Sequence, residues 1–373
     1  MGLILLRYGE VALKGRNRHI WLRRLRRNIR ACLERTGLEG TVSSAGQRIY
    51  VDTPTPEAAL EPLRRVFGLV SLSPVTVTAL DLEAITAEAL HHAEEAGLDP
   101  SRSFRIQARR ANKAFPLNSP QINQHVGAAM VRRFGASVDL SRDVDITIGI
   151  EITDRAMLFH RIIPAFGGLP LGVEGRVVAL ISGGIDSPVA AWLLMKRGCS
   201  VIPVHLSQSE TETRKALDNI EQLRRYSYGW ELRPSVLDHG ALLDPVIQGL
   251  QRLGEERWTC VLCKRAILRA ACDIADQYRA QAVVMGDSLG QVASQSLPNM
   301  EVISYGMPKP ILRPLIGMDK TEIIDLAREI GTFDISTRDS APCTFLPESP
   351  ITRGTIQQLA RLEIALAREK EES

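Results

Sequence analysis

The segment 176–198, RVVALISGGIDSPVAAWLLMKRG, limits the folds open to this chain more than any other. An apolar strand is predicted over 176–181, the backbone can turn tightly at Gly183 and Gly184, and a helix is predicted over 188–198. Pro188 opens that helix, where its missing N–H leaves no intrahelical bond unmade. The loop N–H groups and the helix N-terminus then face one point, an anion site suited to pyrophosphate. An ordinary glycine turn would explain Ser182, Gly183 and Gly184 alone. It does not explain Asp186 and Ser187, whose carboxylate and hydroxyl would sit beside phosphates and Mg²⁺. No GxxxxGK[ST] surrounds the loop, which excludes a Walker-type NTPase here, and GxGxxG is absent.

Beyond the loop, strands and helices alternate: strand 200–206, helix 211–226, strand 231–236, helix 261–278, strand 281–286 and helix 319–330. This order predicts a doubly wound parallel sheet with its nucleotide beyond the carboxyl ends of the strands. Upstream the pattern is different. A strand at 3–8, a helix at 17–35, a helix at 56–66 and strands at 47–52 and 69–77 suggest a β-α-β-β-α-β, ferredoxin-like unit. In the first helix Trp21, Leu25, Ile29 and Leu33 recur every four residues and give one apolar face. A helix from 81, strand 103–109, helix 119–134 and strands 144–152 and 156–163 predict a second small α+β unit. The expected division is a first domain core at 1–58 that packs with part of 59–80, a second domain at 59–166, a glycine-rich linker at 167–175 and a third domain at 176–373.

Charge is distributed unevenly. Residues 1–35 hold ten Lys or Arg against Glu10 and Glu34, and 101–113 adds Arg102, Arg105, Arg109, Arg110 and Lys113 without an acid. Such clustering suggests a polyanionic partner, with RNA or DNA ahead of an acidic membrane. Alternate strand residues share a face, so Arg105 and Arg109 can project together toward phosphate, with Arg110, Lys113, Lys14, Arg16 and Arg18 adding to the surface. The competing reading is ordinary solvated charge, and it applies equally to Arg23, Arg24, Arg26, Arg27 and Arg30 on the first helix. No apolar run approaches the roughly 20 residues of a membrane span, and no secretory signal is expected, so the expected location is the cytoplasm.

Six cysteines occur. Cys32, Cys199 and Cys272 sit among apolar residues and read as core thiols. Cys260 and Cys263 form a CxxC at the opening of a predicted amphipathic helix, a position that favours thiolate. Cys343 stands apart in APCTFLP.

In these motifs the chain resembles the PP-loop ATP pyrophosphatases, whose signature is SGGxDS, and more narrowly the tRNA 4-thiouridine synthetase (ThiI) family. The resemblance runs through RYGEVALKGRNR, FRIQARRANKAFPLNSPQINQHVG, LISGGIDSPVA, MGDSLGQVASQSL, LRPLIGMDKTEI and GTFDIS, in that order. It implies an α/β fold with three parts. A ferredoxin-like α+β domain and a tRNA-gripping THUMP α+β domain precede a C-terminal PP-loop domain, a doubly wound parallel sheet of the adenine nucleotide alpha hydrolase-like kind. It implies an ATP-dependent tRNA sulfurtransferase that adenylates uridine at position eight of tRNA and replaces O4 with sulfur. By the same resemblance Asp186 organises Mg²⁺ and phosphates, and Lys320 stabilises charge building on the α-phosphate. Leu180, Ile181, Ser182, Gly183, Gly184, Ser187, His205 and Leu206 surround the ATP, with Lys264, Gly286 and Gln295 completing the pocket. For His205, a packing or backbone role competes with general base. A homodimer is implied, one subunit's tRNA-binding domain serving the other's catalytic domain.

Many family members deliver sulfur from the persulfide of a C-terminal rhodanese domain. This sequence stops soon after a predicted helix at 354–368, and the form expected is one lacking that domain. A thiamine-pathway role, which depends chiefly on the rhodanese part, is not expected. Zinc would want a fourth Cys or His. Cys260, Cys263 and Cys343 suit instead a three-cysteine iron–sulfur cluster, 4Fe-4S or 3Fe-4S, as in related tRNA thiolases. A metal-free pair, or a persulfide relay through Cys343, is the alternative. Sulfide or a cysteine desulfurase would be the sulfur donor. A PP-loop ligase or amidating enzyme acting on another substrate explains Asp186 but leaves the basic half without a task. An RNA-binding protein with a spent nucleotide domain would have eroded SGGIDS.

Overall fold

A computed structural model describes residues 2–15, 17–339, 343 and 345–372. The chain divides into two compact units, residues 1–168 and 169–373.

The first unit follows the expected order. It runs β1 (Gly2–Tyr8), α1 (Arg18–Arg35), β2 (Thr41–Ala45), β3 (Arg48–Thr53), α2 (Pro56–Arg64) and β4 (Leu69–Thr78). It continues as α3 (Leu82–Glu95), β5 (Ser103–Arg110), α4 (Ser119–Phe134), β6 (Ser137–Val138), β7 (Ile146–Ile152), β8 (Ala156–Phe159) and β9 (Ile163–Pro164). Ile4, Leu5 and Leu6 are fully buried because β1 lies between β3 and β4. Leu25, Ile29 and Leu33 of α1 are buried as the four-residue spacing requires, while Trp21 is only half-buried under the Lys14 ammonium, 4.2 Å from its ring. A capping box between Asn118 and Gln121 starts α4, and Gly135 ends it at φ 64. One strand joins the two halves of this unit: residues 69–75 of β4 run antiparallel to β1, and 76–78 run antiparallel to β8. The strand expected over 156–163 breaks into β8 and β9, and β2 adds a strand to the sequence expectation.

The second unit contains β10 (Arg176–Leu180), α5 (Asp186–Lys196), β11 (Ser200–Ser207), α6 (Glu210–Arg224), β12 (Ser235–Asp238) and α7 (His239–Leu253). After it come α8 (Thr259–Gln277), β13 (Ala282–Val284), α9 (Leu297–Ser304), β14 (Ile311–Leu312), α10 (Lys320–Ile330), α11 (Phe333–Ser336) and α12 (Ile356–Glu372). The strands lie in the order β12-β11-β10-β13-β14, all parallel. The unbroken Val-rich runs of β10 and β11 reflect a sheet buried on both faces. The chain builds outward from β10 to β12, then returns to the other side of β10 with β13. That reversal opens a crevice past the carboxyl ends of β10 and β13.

Two expectations need correction here. α5 begins at Asp186 rather than Pro188, so Asp186 and Ser187 belong to its first turn; Pro188, third in the helix, still loses no hydrogen bond there. The strand expected at 231–236 lies at Ser235–Asp238. Pro245 inside α7 obscured a helix whose Leu243, Ile247 and Leu250 face the core. No helix among the described residues is long and apolar enough to cross a membrane.

Candidate active site

The loop after β10 is held by its own hydroxyls. Ser187 Oγ accepts from the Ser182 N–H at 2.8 Å and lies 3.0 Å from Ser182 Oγ, which accepts from the Gly184 N–H at 3.3 Å. Ser336 Oγ, at the end of α11, donates to the Gly184 carbonyl at 3.2 Å. A side chain on Gly183 would strike the Glu212 carboxylate, 2.5 Å from the Cβ position. Gly286, just past β13, lies against the first turn of α5: a Cβ there would come 2.7 Å from both the N and Cα of Ser187. Glycine is therefore what lets the end of β13 close on the first turn of α5.

A cavity of about 330 Å³ opens above this loop. Of the predicted nucleotide residues, Leu180, Ile181, Ser182, Gly184, Asp186, Ser187, His205, Leu206, Lys264, Gly286 and Gln295 all line it, and Gly183 stands beside it in the loop. Its size falls in the ordinary range for small-ligand sites. His205 is buried, with Nδ1–H donating to the Ile181 carbonyl at 2.8 Å and Nε2 3.2 Å from Thr213 Oγ1. Burial pushes its pKa below the usual imidazole value. The geometry is that of a neutral imidazole fixing the loop backbone.

At the mouth, Lys320 Nζ donates to Asp186 Oδ1. With its amide turned to satisfy both partners, Gln291 donates to Asp186 Oδ2 at 3.0 Å and accepts from Lys320 Nζ at 3.2 Å. Asp319 and Glu322 form a capping box that fixes the first turn of α10, and with it Lys320.

Deeper in, Asp287 binds Lys264 Nζ at 2.8 Å and Arg313 Nε at 3.1 Å, and accepts from Gln295 Nε2 at 3.3 Å. Burial alone would raise the Asp287 pKa; Lys264 and Arg313 outweigh it and hold the carboxyl below its ordinary value. Gln291, Asp287, Arg313 and Ser336 join the site beyond the residues expected from the sequence. Each lies inside a motif quoted for the resemblance, but only the fold shows what each side chain touches.

Cys260 and Cys263 occupy the first two turns of α8, and Cys343 is exposed. Burial pushes the Cys263 thiol up to about 12, with the neighbouring Cys343 and Cys260 adding to the shift; burial and Cys343 raise Cys260 as well. Against the thiolate that a helix N-terminus favours, burial and the neighbouring thiols act in the opposite direction, and Lys264 acts with the helix. Thiols suit a thiophilic group, but among the described residues Cys260, Cys263 and Cys343 do not gather their sulfurs within 4.8 Å of one another.

The predicted RNA-facing residues are more engaged than their charge suggests. Arg109 NH1 lies 3.2 Å from buried Glu151, which also holds Arg48 at 2.8 Å. Arg105 donates to Thr147 Oγ1 at 2.9 Å and to the Ser141 carbonyl at 3.0 Å, and Arg110 donates to the Phe115 carbonyl at 3.0 Å. Lys113 is exposed, Arg18 is half-buried at the start of α1, and Arg16 lies outside the described residues.

Three family models match in register with this architecture: the ThiI ferredoxin-like domain at residues 3–73, the THUMP domain at 79–160, and the thiamine biosynthesis protein (ThiI) family at 172–367. The chain belongs to the ThiI family. Within that family it is 41% identical over 371 residues to a probable tRNA sulfurtransferase of Thermococcus kodakarensis, covering 98% of this chain and 97% of the relative. It is 40% identical to one of Moorella thermoacetica, covering 97% and 92%. A crystal structure of a 4-thiouridine synthetase–RNA complex with bound ATP superposes with a TM-score of 0.86 at 32% identity, covering 100% of this chain and 97% of that one. PH1313 from Pyrococcus horikoshii Ot3 follows at a TM-score of 0.71 and 29% identity, covering 89% and 100%.

Proposed function

We propose that this chain is an ATP-dependent tRNA sulfurtransferase that makes 4-thiouridine at position eight of tRNA. The observation that carries the reading is the Asp186–Lys320 pair at the mouth of the glycine-loop cavity. Relatives named tRNA sulfurtransferase and the RNA- and ATP-bound 4-thiouridine synthetase support it. The working division is a ferredoxin-like core at 1–58 packing with part of 59–80, a THUMP domain at 59–166, a linker at 167–175 and a PP-loop domain at 176–373. A tRNA substrate implies work in the cytoplasm. The reading includes a homodimer in which one subunit's RNA-binding domain serves the other's catalytic domain.

A uracil carbonyl is a poor leaving group. The O4 of uridine attacks the α-phosphorus of ATP, an O4–P bond forms, the bond to the bridging α,β oxygen breaks, and pyrophosphate leaves. The N–H groups of Gly183, Ile185 and Asp186, which the loop's own hydroxyls leave aside, hold the departing phosphates at the first turn of α5. Asp186 would hold Mg²⁺ through its carboxylate, and Lys320 meets the charge growing on the α-phosphate. Gln291 orients both. His205 stays neutral and keeps the Ile181 carbonyl in place. Sulfide (HS⁻) attacks C4, the C4–O4 bond breaks and AMP departs with the former O4; the sulfhydryl proton restores the N3–H lost on adenylation, and 4-thiouridine remains. Lys14, Arg16, Arg18, Arg105, Arg109, Arg110 and Lys113 are assigned to the tRNA backbone.

Cys260, Cys263 and Cys343 would hold an iron–sulfur cluster, of the 4Fe-4S or 3Fe-4S kind, fed by sulfide or a cysteine desulfurase. When bound, it would supply sulfur-binding chemistry. The exposure of Cys343 favours a second reading, a persulfide relay without a cluster.

The test is anaerobic purification with iron and sulfide analysis, then ATP-dependent thiolation of unmodified tRNA. 4-Thiouridine is expected, and it must vanish in Asp186→Ala; undiminished product in that variant sinks the proposal. Iron that disappears with Cys260→Ala supports the cluster. An iron-free protein that is fully active supports the relay.

A further inference from the structure

Away from the nucleotide site, the first unit brings His92, Glu95 and His160 together with their ligand atoms within 4.8 Å of one another. His92 and Glu95 lie on the last turn of α3, and His160 directly follows β8. The two imidazoles turn the same nitrogen inward, Nδ1 to Nδ1 at 2.8 Å, and the Glu95 carboxylate stands 3.6 Å from one and 3.9 Å from the other. Ligand atoms about 2.1 Å from a tetrahedral centre lie roughly 3.4 Å apart. Opening the imidazole pair by about half an ångström and drawing in the carboxylate by a similar amount would seat such an ion.

Two further features favour an ion over a simple imidazole–imidazole hydrogen bond. His92 is 5% exposed, and its outer nitrogen, Nε2, is buried without a hydrogen-bond partner. The carboxylate nearest to it is Glu88, whose Oε1 is 3.6 Å away. A metal-bound imidazole ordinarily donates its other N–H to a carboxylate in this position. The cluster also lines a cavity of about 370 Å³ whose walls include Gly2, Leu3, Pro56 and Thr76, leaving a fourth position for water or a ligand. Arg161, the nearest cation in sequence, is paired with Glu57 at 2.7 Å.

The geometry points to a divalent first-row metal site, suited to Zn²⁺, with His92 Nδ1, His160 Nδ1 and Glu95 as ligands and Glu88 as the positioning residue behind His92. The ion would tie the end of α3 to the end of β8 beside β1 and α2. This site does not depend on the thiolation reading.

Co²⁺ and Zn²⁺ titration of the full chain, alongside Cys260→Ala, tests it. One equivalent of Co²⁺ with ligand-field bands but no thiolate-to-cobalt charge transfer is expected, and it should persist in Cys260→Ala. His160→Gln should abolish that equivalent, and Glu88→Gln should weaken it about 10-fold. If His160→Gln misfolds by circular dichroism, the half-exposed ligand change Glu95→Gln takes its place. Absence of a thiolate-free equivalent in the wild-type chain, or unchanged binding in the ligand variants, overturns the site.

Discussion

Lys320 and Asp186, 134 residues apart, are each the first residue of a helix and are joined by a direct ion pair. Two helix N-termini, each a positive dipole end, thus meet beside the cavity that Asp186 lines; that of α10 is already capped by Asp319 and Glu322. An α-phosphate there would take the lysine from its carboxylate partner, and Gln291 is placed to follow both groups.

Lys320→Met should therefore lower the turnover of thiolation by about 10²–10³-fold, the scale of losing one preorganised charge donor. The pair is partly solvent-exposed, so stability should move by no more than about 0.5 kcal/mol. Single-turnover adenylation with labelled ATP, read beside thermal unfolding, checks both.

Gly286→Ala should be costly for a reason unrelated to glycine flexibility. Its Cβ would meet the backbone of Ser187 at 2.7 Å, and backbone cannot swing aside as a side-chain tip can. A loss of about 1–3 kcal/mol and weakened ATP binding are expected, measurable by denaturant unfolding and nucleotide titration.

Asp287 holds two cations in a buried setting, so Asp287→Asn should destabilise the second unit by about 3 kcal/mol at neutral pH. The folded pKa is depressed, so the carboxylate's contribution is complete above the ordinary value of 3.8 and is lost as pH falls through the lower folded value. The wild-type and variant unfolding curves should accordingly draw together in acid.

His205 works in the same direction from a different charge. Its folded pKa lies below the ordinary 6.5, so the unfolded chain takes up the proton first and stability falls as pH drops below 6.5. His205→Asn, which keeps a donor for the Ile181 carbonyl, should flatten that fall by up to about 1.4 kcal/mol per pH unit. His92, His160 and His239 are shifted the same way, so a residual slope should remain.

Lys113→Ala should weaken tRNA binding about uniformly and reduce the salt slope by about 1, the signature of one lost phosphate contact. Arg109→Ala should do more harm to folding, because it strips one partner from buried Glu151. Filter binding across a salt series, with thermal unfolding, separates the two.

The contrast between those residues shows where sequence reading stops. The run of bases in β5 was legible as charge, and its alternation placed Arg105 and Arg109 on one face. Nothing in the run announced Glu151, 42 residues on, which holds Arg109 from the next strand. The glycine loop was readable because its chemistry is local: six adjacent residues carry the turn, the hydroxyls and the carboxylate. Asp287 and Arg313 were harder, since their meaning lies in a pair formed 26 residues apart. For Cys260 and Cys263 the helix N-terminus was visible in the sequence, but the burial that opposes it was not. α7 was missed because Pro245 breaks the expected pattern while tertiary packing of Leu243 and Leu250 still rewards the helix.

The continuity of β4 has a consequence for how such an enzyme can measure its substrate. The ferredoxin-like match ends at residue 73, inside β4, and the THUMP match begins at 79, one residue past its end, yet the strand between is unbroken and is paired with β1 at one end and β8 at the other. The two modules share a spine instead of a hinge. A chain cut between them would lose sheet from both sides, and a tRNA held by them would be gauged against a caliper of fixed opening.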